Sequence, residues 1–137
     1  CLMVDEEGFY PPAIRRGNEQ YGDGYSEALF ERLNKLDPEF SMIFQRSVHG
    51  GLYDRDVIDH KTRELCAISA LCVTGMFNQM RAHFSAAASY GATDREILEV
   101  IIQMFTYIGA PAVLEGIKVY EGWLSEGRTM SGFGSSH

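Results

Sequence analysis

Helix start and stop signals divide the sequence into helix-length segments. Asp37-Pro38 supplies a capping side chain followed by proline at the first helical position. Thr93 and Glu96 have the spacing of a capping box, and Gly109-Ala110-Pro111 is typical of a helix end. No strand-length stretch of clean apolar and polar alternation occurs anywhere. The sequence therefore predicts an all-α fold of about six helices.

Apolar spacing locates these helices along the chain. We expect helices from Tyr25 to Leu36, from Pro38 to Val48, from the Asp59 cap through Cys72, from Met76 to Tyr90, from Thr93 to Ile108 and from Val113 to Leu124. Thr74-Gly75 breaks or bends the chain between the third and the fourth. The segment from Ile97 to Ile108 is apolar almost all round, which indicates burial at the centre or at a subunit interface.

The domain organisation follows from length and composition. A chain of 137 residues is long enough for one ordinary core. Residues 1–24, with Pro11-Pro12 and several glycines, predict an irregular arm holding at most one short helix near residues 13–21. Residues 25–126 form the predicted helical domain, and residues 127–137, rich in Gly and Ser, form a predicted flexible tail.

Charge and hydropathy exclude several function classes. The 19 acidic and 12 basic residues give a net charge of -7, which is the wrong sign for binding nucleic acid or an anionic membrane. No apolar run approaches the roughly 20 residues that cross a bilayer. The first residues also lack the pattern of a secretory signal. We therefore expect a soluble, cytoplasmic protein.

The cysteines and histidines form no obvious metal or disulfide framework. Cys1, Cys66 and Cys72 are an odd number, and we expect the last two to be buried as small hydrophobic residues. The histidines are not spaced as ligands, so no metal site is predicted. His49 precedes two glycines in a loop, which makes it a candidate substrate-binding residue, although the glycines could serve the turn alone.

One group of side chains has the spacing of a catalytic site. Met76, Gln79 and His83 share one face of a predicted helix, and Glu64 lies on the preceding helix. If the chain reverses at Thr74-Gly75, Glu64 approaches His83 and makes a proton-transfer pair. The structural alternative is a hydrogen-bonded or exposed histidine and a glutamate that serves the helix dipole.

Four segments resemble the carboxymuconolactone decarboxylase family within the alkylhydroperoxidase D-like superfamily. They are Thr62-Arg63-Glu64-Leu65, Arg81-Ala82-His83 with the small residues that follow it to Gly91, Thr93 to Glu96, and the run from Gln103 to Pro111. The peroxidase branch has Glu, eleven residues, Cys, two residues, Cys, three residues and His. This sequence has Glu64, Met76, Gln79 and His83 at the same spacing without a gap. The resemblance implies a helical bundle that assembles as a homotrimer or a homohexamer.

The two missing cysteines decide which branch of the family the resemblance favours. Met76 and Gln79 can neither attack a peroxide nor resolve a sulfenic acid, so dithiol peroxidase activity is not expected. The decarboxylase branch implies loss of carbon dioxide from a small unsaturated lactone acid without a cofactor. His83 would then donate the proton and Glu64 would orient it. Gln79, Arg81 and Tyr107 would contact the substrate.

The resemblance leaves open the substrate, the type of reaction and whether the protein is catalytic at all. Decarboxylases of the family commonly carry a carboxylate near the position of Gln79, so the resemblance does not identify the substrate. An isomerase or a cyclase could use the same pocket. A member that binds a ligand or assembles without catalysis is the second hypothesis.

Overall fold

The computed structural model describes residue 5 and residues 7–129, and these residues form seven α-helices and one short 3-10 helix, without a strand among them. The α-helices are α1 (Pro11–Tyr21), α2 (Tyr25–Leu36), α3 (Pro38–Ser47), α4 (His60–Thr74), α5 (Phe77–Ser89), α6 (Asp94–Gln103) and α7 (Phe105–Ser125). The prediction of an all-α fold is confirmed, with one helix more than expected. Cys1 and His137 lie outside the described residues.

The chain divides into two compact units, residues 1–57 and 58–137. The first unit contains α1, α2 and α3, so the helix predicted near residues 13–21 belongs to a packed group of helices. The predicted domain boundaries after residues 24 and 126 stay a prediction.

In the first unit, α1 and α2 cross at close range. A Cβ atom on Gly17 would lie 2.1 Å from Ser26 Oγ, so this crossing requires glycine. Gln45, on α3, fastens the chain ahead of α1, because its Oε1 accepts a hydrogen bond of 2.7 Å from the Tyr10 amide. Phe30 is fully buried in this unit.

In the second unit, α4 and α5 form a hairpin that packs against α6 and α7. Gly75 lies between α4 and α5 with φ 75°, a backbone conformation that glycine adopts without strain. The core of this unit is formed by buried apolar side chains from all four helices, which include Ile68, Cys72, Met80, Phe84, Ile97, Ile101, Val113 and Trp123.

The predicted helix caps are present. Asp37 accepts a hydrogen bond of 3.0 Å from the Phe40 amide. Asp59 accepts one of 2.7 Å from the Thr62 amide, and the Thr93–Glu96 capping box is complete. Each cap satisfies amides that the helix itself leaves without partners, which is why these starts follow the sequence so closely.

The prediction of one helix from Thr93 to Ile108 is wrong. Helix α6 ends at Gln103, and the chain bends by 119° before it continues in α7. Gly109, with φ 79° and ψ 176°, interrupts α7 itself. Only Ile97 and Ile101 of the predicted helix are buried, so burial of the whole segment at the centre of the unit is excluded.

The bend between α6 and α7 also limits the length of any single apolar helix in this part of the chain. Among the helices that the structure describes, none is by itself long and apolar enough to span a membrane. Helices α6 and α7 have the length and composition only when taken together.

The first residues of the predicted tail are fixed in place. The Arg128 amide donates a hydrogen bond of 2.8 Å to the Trp123 carbonyl oxygen, and the Arg128 guanidinium forms an ion pair with Asp94. Residues 130–137 of the predicted tail lie outside the described residues.

Candidate functional site in the helix hairpin

A carboxylate and an imidazole meet between α4 and α5. His83 Nδ1 lies 2.7 Å from Glu64 Oε2, which confirms the predicted contact. The Glu64 side chain is fully buried, and the His83 side chain keeps 16% of its surface exposed. The pair therefore has one member enclosed in the protein and one member that solvent or a small molecule can reach.

The local sequence explains why the two side chains meet. Glu64, Ile68 and Cys72 are four residues apart on α4 and form its buried face. The reversal at Gly75 then brings α5 back alongside α4. His83 is thereby placed opposite the start of α4, where Glu64 is.

The alternative role for Glu64 as a helix-dipole residue is contradicted. The first turn of α4 holds no acidic residue, and Asp59 makes the N-cap hydrogen bond. Glu64 lies beyond that turn, away from solvent, and its carboxylate contacts an imidazole on another helix. A charged oxygen in such a place needs a hydrogen-bonding partner, since burial of an unpaired carboxylate is costly.

This arrangement is suited to proton transfer. A carboxylate at Nδ1 fixes the tautomer of the ring, because the Nδ1 hydrogen is donated to the carboxylate. The other ring nitrogen, Nε2, then gives or takes the exchangeable proton. The carboxylate also stabilises the positive charge that the ring acquires when both nitrogens are protonated.

The predicted substrate-binding residues of the second unit differ in their surroundings. Gln79 is exposed one helical turn before His83. Arg81 donates a hydrogen bond of 2.5 Å from Nη2 to Glu126, so its charge already has a counterion. Tyr107 lies on the segment after the bend and is 69% exposed. Among the described residues, neither Arg81 nor Tyr107 forms a hydrogen bond with Glu64 or His83.

His49 has a different setting from the one predicted. It lies in the turn after α3, but its side chain is buried in the first unit, with only 3% of its surface exposed. Its Nδ1 lies 2.7 Å from Gln20 Oε1. Five aromatic rings have centroids 5.8 to 6.4 Å from the imidazole; they belong to Tyr21, Tyr25, Phe30, Phe44 and Tyr53. This buried setting differs from that of an exposed substrate loop, and a role of His49 in substrate binding stays a prediction.

The two cysteines of α4 also differ from each other. Cys72 is buried, as expected, and burial raises the pKa of its thiol above the ordinary value. Cys66 is exposed, so the prediction that it is a buried hydrophobic residue is wrong. Its position on the helix explains the difference, since Cys66 and Cys72 lie on different faces of α4. Within the described part of the chain, no three His, Cys, Asp or Glu side chains are grouped so that they could hold a metal ion.

Sequence reasoning missed one property of Arg63. The Nε atom of Arg63 is buried and has no hydrogen-bond partner. The sequence showed only that Arg63 precedes Glu64 in a motif. A missing counterion depends on the tertiary surroundings of a side chain, and no sequence pattern signals it.

The fold and the pair define a class of protein: an all-helical protein with a buried glutamate and a partly exposed histidine between two helices of a hairpin. The model of the carboxymuconolactone decarboxylase family matches residues 38–121. This match covers more than half of the sequence, and the chain belongs to that family.

Two relatives are similar to this chain over most of its length. The 4-carboxymuconolactone decarboxylase of Acinetobacter baylyi is 27% identical over 109 residues, which cover 80% of this chain and 81% of the relative. An uncharacterised 15.0 kDa protein of Paracoccus denitrificans is 32% identical over 96 residues, which cover 69% of this chain and 72% of that protein. The resemblance carried by the sequence motifs is thus confirmed at the level of the family.

Proposed function

We propose that this protein is a carbon–carbon lyase or a related proton-transfer enzyme that acts on a small unsaturated lactone or oxoacid in the cytoplasm. The observation that carries the proposal is the 2.7 Å contact between His83 Nδ1 and Glu64 Oε2, because it prepares the ring for acid–base chemistry. The name of the Acinetobacter relative supports decarboxylation as the reaction.

The proposed reaction needs no cofactor. The bond between the substrate and its leaving carboxylate breaks, and the electron pair is delocalised into the conjugated carbonyl of the substrate. Carbon dioxide and a dienolate result. His83, protonated on both nitrogens, then donates the Nε2 proton to the dienolate carbon, and the neutral ring regains a proton from water. Glu64 stabilises the charged ring throughout the cycle.

Gln79 is the best placed of the predicted substrate-binding residues. It precedes His83 by four residues on α5, so both side chains share one face of the helix. Its exposed carboxamide can donate to a lactone or carboxylate oxygen and accept from a hydroxyl group. Met76 lies on the same face, and neither residue supplies a thiol, which argues against dithiol peroxidase activity.

An exposed apolar surface supports self-assembly. In the second unit, Ile102, Phe105, Tyr107 and Leu114 are between 42% and 69% exposed, and they cluster in sequence around the α6–α7 bend. Large exposed apolar patches commonly mark interfaces. We therefore propose that this surface forms a homo-oligomer, a trimer or a hexamer, and sedimentation velocity would test it. A monomer at micromolar concentration would contradict it.

A non-catalytic role is the second candidate. The observation that favours it is Gln79, which stands where decarboxylases of the family commonly have a carboxylate. A protein of this kind would bind a small acid in the hairpin or serve as an assembly subunit, without turnover.

Replacing His83 separates the two candidates. Carbon dioxide release and product formation would be measured with a panel of unsaturated lactone acids and oxoacids that includes 4-carboxymuconolactone. We expect His83→Ala to lower turnover roughly 10²–10⁴-fold, the usual contribution of a positioned acid or base. The melting temperature should also fall, because the buried Glu64 carboxylate loses its imidazole partner, so turnover is compared per folded molecule.

His60→Ala is the matched control. His60 belongs to the same unit and its ring lies 5.1 Å from the Tyr90 ring, whereas the imidazole that contacts the Glu64 carboxylate is that of His83. Its replacement should leave turnover unchanged. If His83→Ala keeps full activity per folded molecule, or if the wild-type protein converts no member of the panel, the non-catalytic candidate is favoured.

A further inference from the structure

We propose that Arg63 binds a carboxylate group that the substrate retains through the reaction. This inference rests on the proposed function and adds a specificity-determining residue to the same site. The starting observation is that the Nε atom of Arg63 is buried without a hydrogen-bond partner, next in sequence to Glu64, the buried member of the pair.

Arg63 is unlike the other partly buried arginines. Its Nε atom is buried without a hydrogen-bond partner, and among the described residues its side chain makes no ion pair. Arg81 Nε is also buried without a partner, but its Nη2 atom is paired with Glu126. Arg46, the third arginine with such an Nε atom, lies over the Tyr10 ring. Arg63 is therefore the one whose charge is left for an added anion.

A buried donor without a partner is unfavourable, and more so when it carries a charge. The guanidinium cannot relieve this by losing its proton, because its pKa is too high. An incoming carboxylate can relieve it, since it accepts two hydrogen bonds from the planar guanidinium and neutralises the charge. The ligand-free protein thus holds one buried guanidinium nitrogen, Arg63 Nε, that has no acceptor and that an anion can pair.

The position of Arg63 brings this charge to the proposed site. Arg63 and Glu64 are consecutive residues of α4, so their Cα atoms are about 3.8 Å apart. Consecutive side chains of a helix point about 100° apart and do not face each other. Arg63 therefore projects from α4 beside Glu64 rather than onto it, and a ligand carboxylate bound by Arg63 would lie next to the Glu64–His83 pair.

The chemistry of decarboxylation indicates which carboxylate Arg63 binds. A guanidinium on the leaving carboxylate would stabilise the ground state and would oppose loss of carbon dioxide. A guanidinium on a second carboxylate holds the substrate equally well before and after the bond breaks. Arg63 should therefore favour dicarboxylates over monocarboxylates, and it should act on KM more than on kcat.

Binding of maleate, a small unreactive dicarboxylate, would test this. Calorimetry would compare maleate with the monocarboxylate crotonate on the wild-type protein, Arg63→Gln, Arg63→Lys and Arg95→Gln. Arg95 is an exposed arginine of the same unit and is the control. We expect Arg63→Gln to weaken maleate binding roughly 10- to 100-fold and crotonate binding much less, with Arg63→Lys in between. Arg95→Gln should change neither.

Thermal stability provides a second measurement. Since Arg63 has no partner in the ligand-free protein, Arg63→Gln should not lower the melting temperature. Maleate should raise the melting temperature of the wild-type protein and leave that of Arg63→Gln unchanged. A lower melting temperature of ligand-free Arg63→Gln would indicate a structural arginine and overturn the inference. Equal maleate affinity in both proteins, or no maleate binding by the wild type, would also overturn it.

The His83→Ala variant separates this inference from the proposed function. If maleate binding depends on Arg63 while His83→Ala retains full turnover, the carboxylate site stands and the proposed mechanism fails. If His83→Ala abolishes turnover while Arg63→Gln leaves KM and maleate affinity unchanged, the mechanism stands and Arg63 is excluded.

Discussion

His49 and His83, one in each unit of the chain, share one geometrical feature and differ in the rest. Each places its Nδ1 atom 2.7 Å from a side-chain oxygen. The oxygen at His49 belongs to the neutral carboxamide of Gln20, and that at His83 to the carboxylate of Glu64. Aromatic rings enclose His49, whereas His83 retains an exposed fraction of its surface.

The contrast shows that the distance of a histidine hydrogen bond does not reveal its role. A carboxamide oxygen selects a tautomer but stabilises a charged ring only weakly. A carboxylate does both. Access matters as well, because a ring closed off by aromatic side chains cannot transfer a proton to a substrate. The acceptor and the exposure together favour His83 as the chemical residue and His49 as the structural one.

The largest expected effect comes from replacing the carboxylate acceptor of His83 by a carboxamide, the acceptor that His49 has. Glu64→Gln gives His83 a carboxamide partner, as His49 already has. We expect turnover to fall roughly 10²–10⁴-fold, because the charged ring loses its stabilising carboxylate. The carboxamide keeps a hydrogen-bond acceptor in place, so circular dichroism should show an unchanged helical fold. Turnover close to the wild-type value would show that the charge of Glu64 has no catalytic role.

Replacement of the other histidine should affect stability instead. His49→Ala leaves Gln20 without this partner and opens a cavity among the aromatic rings. We expect urea denaturation to show a free energy of unfolding lower by about 2–4 kcal/mol. Turnover per folded molecule should stay near the wild-type value. A large loss of turnover with unchanged stability would reverse the roles assigned to the two histidines.

The smallest expected effect is the loss of the Asp94–Arg128 ion pair, in the unit that holds His83, on thermal stability at different pH values. The hydrogen bond from Arg128 lowers the pKa of Asp94 below its ordinary value of 3.8. A carboxyl group with a lowered pKa in the folded state stabilises the protein above its unfolded pKa, and this contribution is lost as the pH falls through the folded pKa. Asp94→Asn should therefore lower the melting temperature at pH 7. The effect should be small, because the ion pair is exposed to solvent.

The difference between Asp94→Asn and the wild-type protein should shrink below pH 3.8 and vanish at lower pH. A calorimetric series from pH 7 to pH 2 measures it. A difference that stays constant over this range would mean that the ion pair does not contribute through its charge.

Local signals in the sequence predicted most helix boundaries. The caps at Asp59 and Thr93 depend on residues three positions apart, so the sequence contains everything that forms them. The bend after Gln103 was not predicted, because an apolar segment reads as one helix whether it continues or turns. What decides the bend is the packing of the segments on either side.

The candidate site was predictable where it depends on spacing. Glu64 lies eleven residues before Gly75 and His83 lies eight residues after it, close enough for a hairpin to bring them together, and the family pattern has the same residues there. The exposure of Cys66, the ion pair of Arg81 and the missing counterion of Arg63 were not predictable. Each depends on which side chains approach from distant parts of the chain.

The crossing of α4 with α7 has a consequence for how related sequences can diverge. A Cβ atom on Gly116 would lie 3.2 Å from Cys72 Sγ and 3.1 Å from Ile101 Cγ2. A side chain at Gly116 therefore needs Cys72 Sγ and Ile101 Cγ2 to shift by a few tenths of an ångström, or needs smaller residues at those two positions. Related sequences with a methyl group at the position of Gly116 should therefore more often carry a smaller side chain at the position of Cys72 or Ile101.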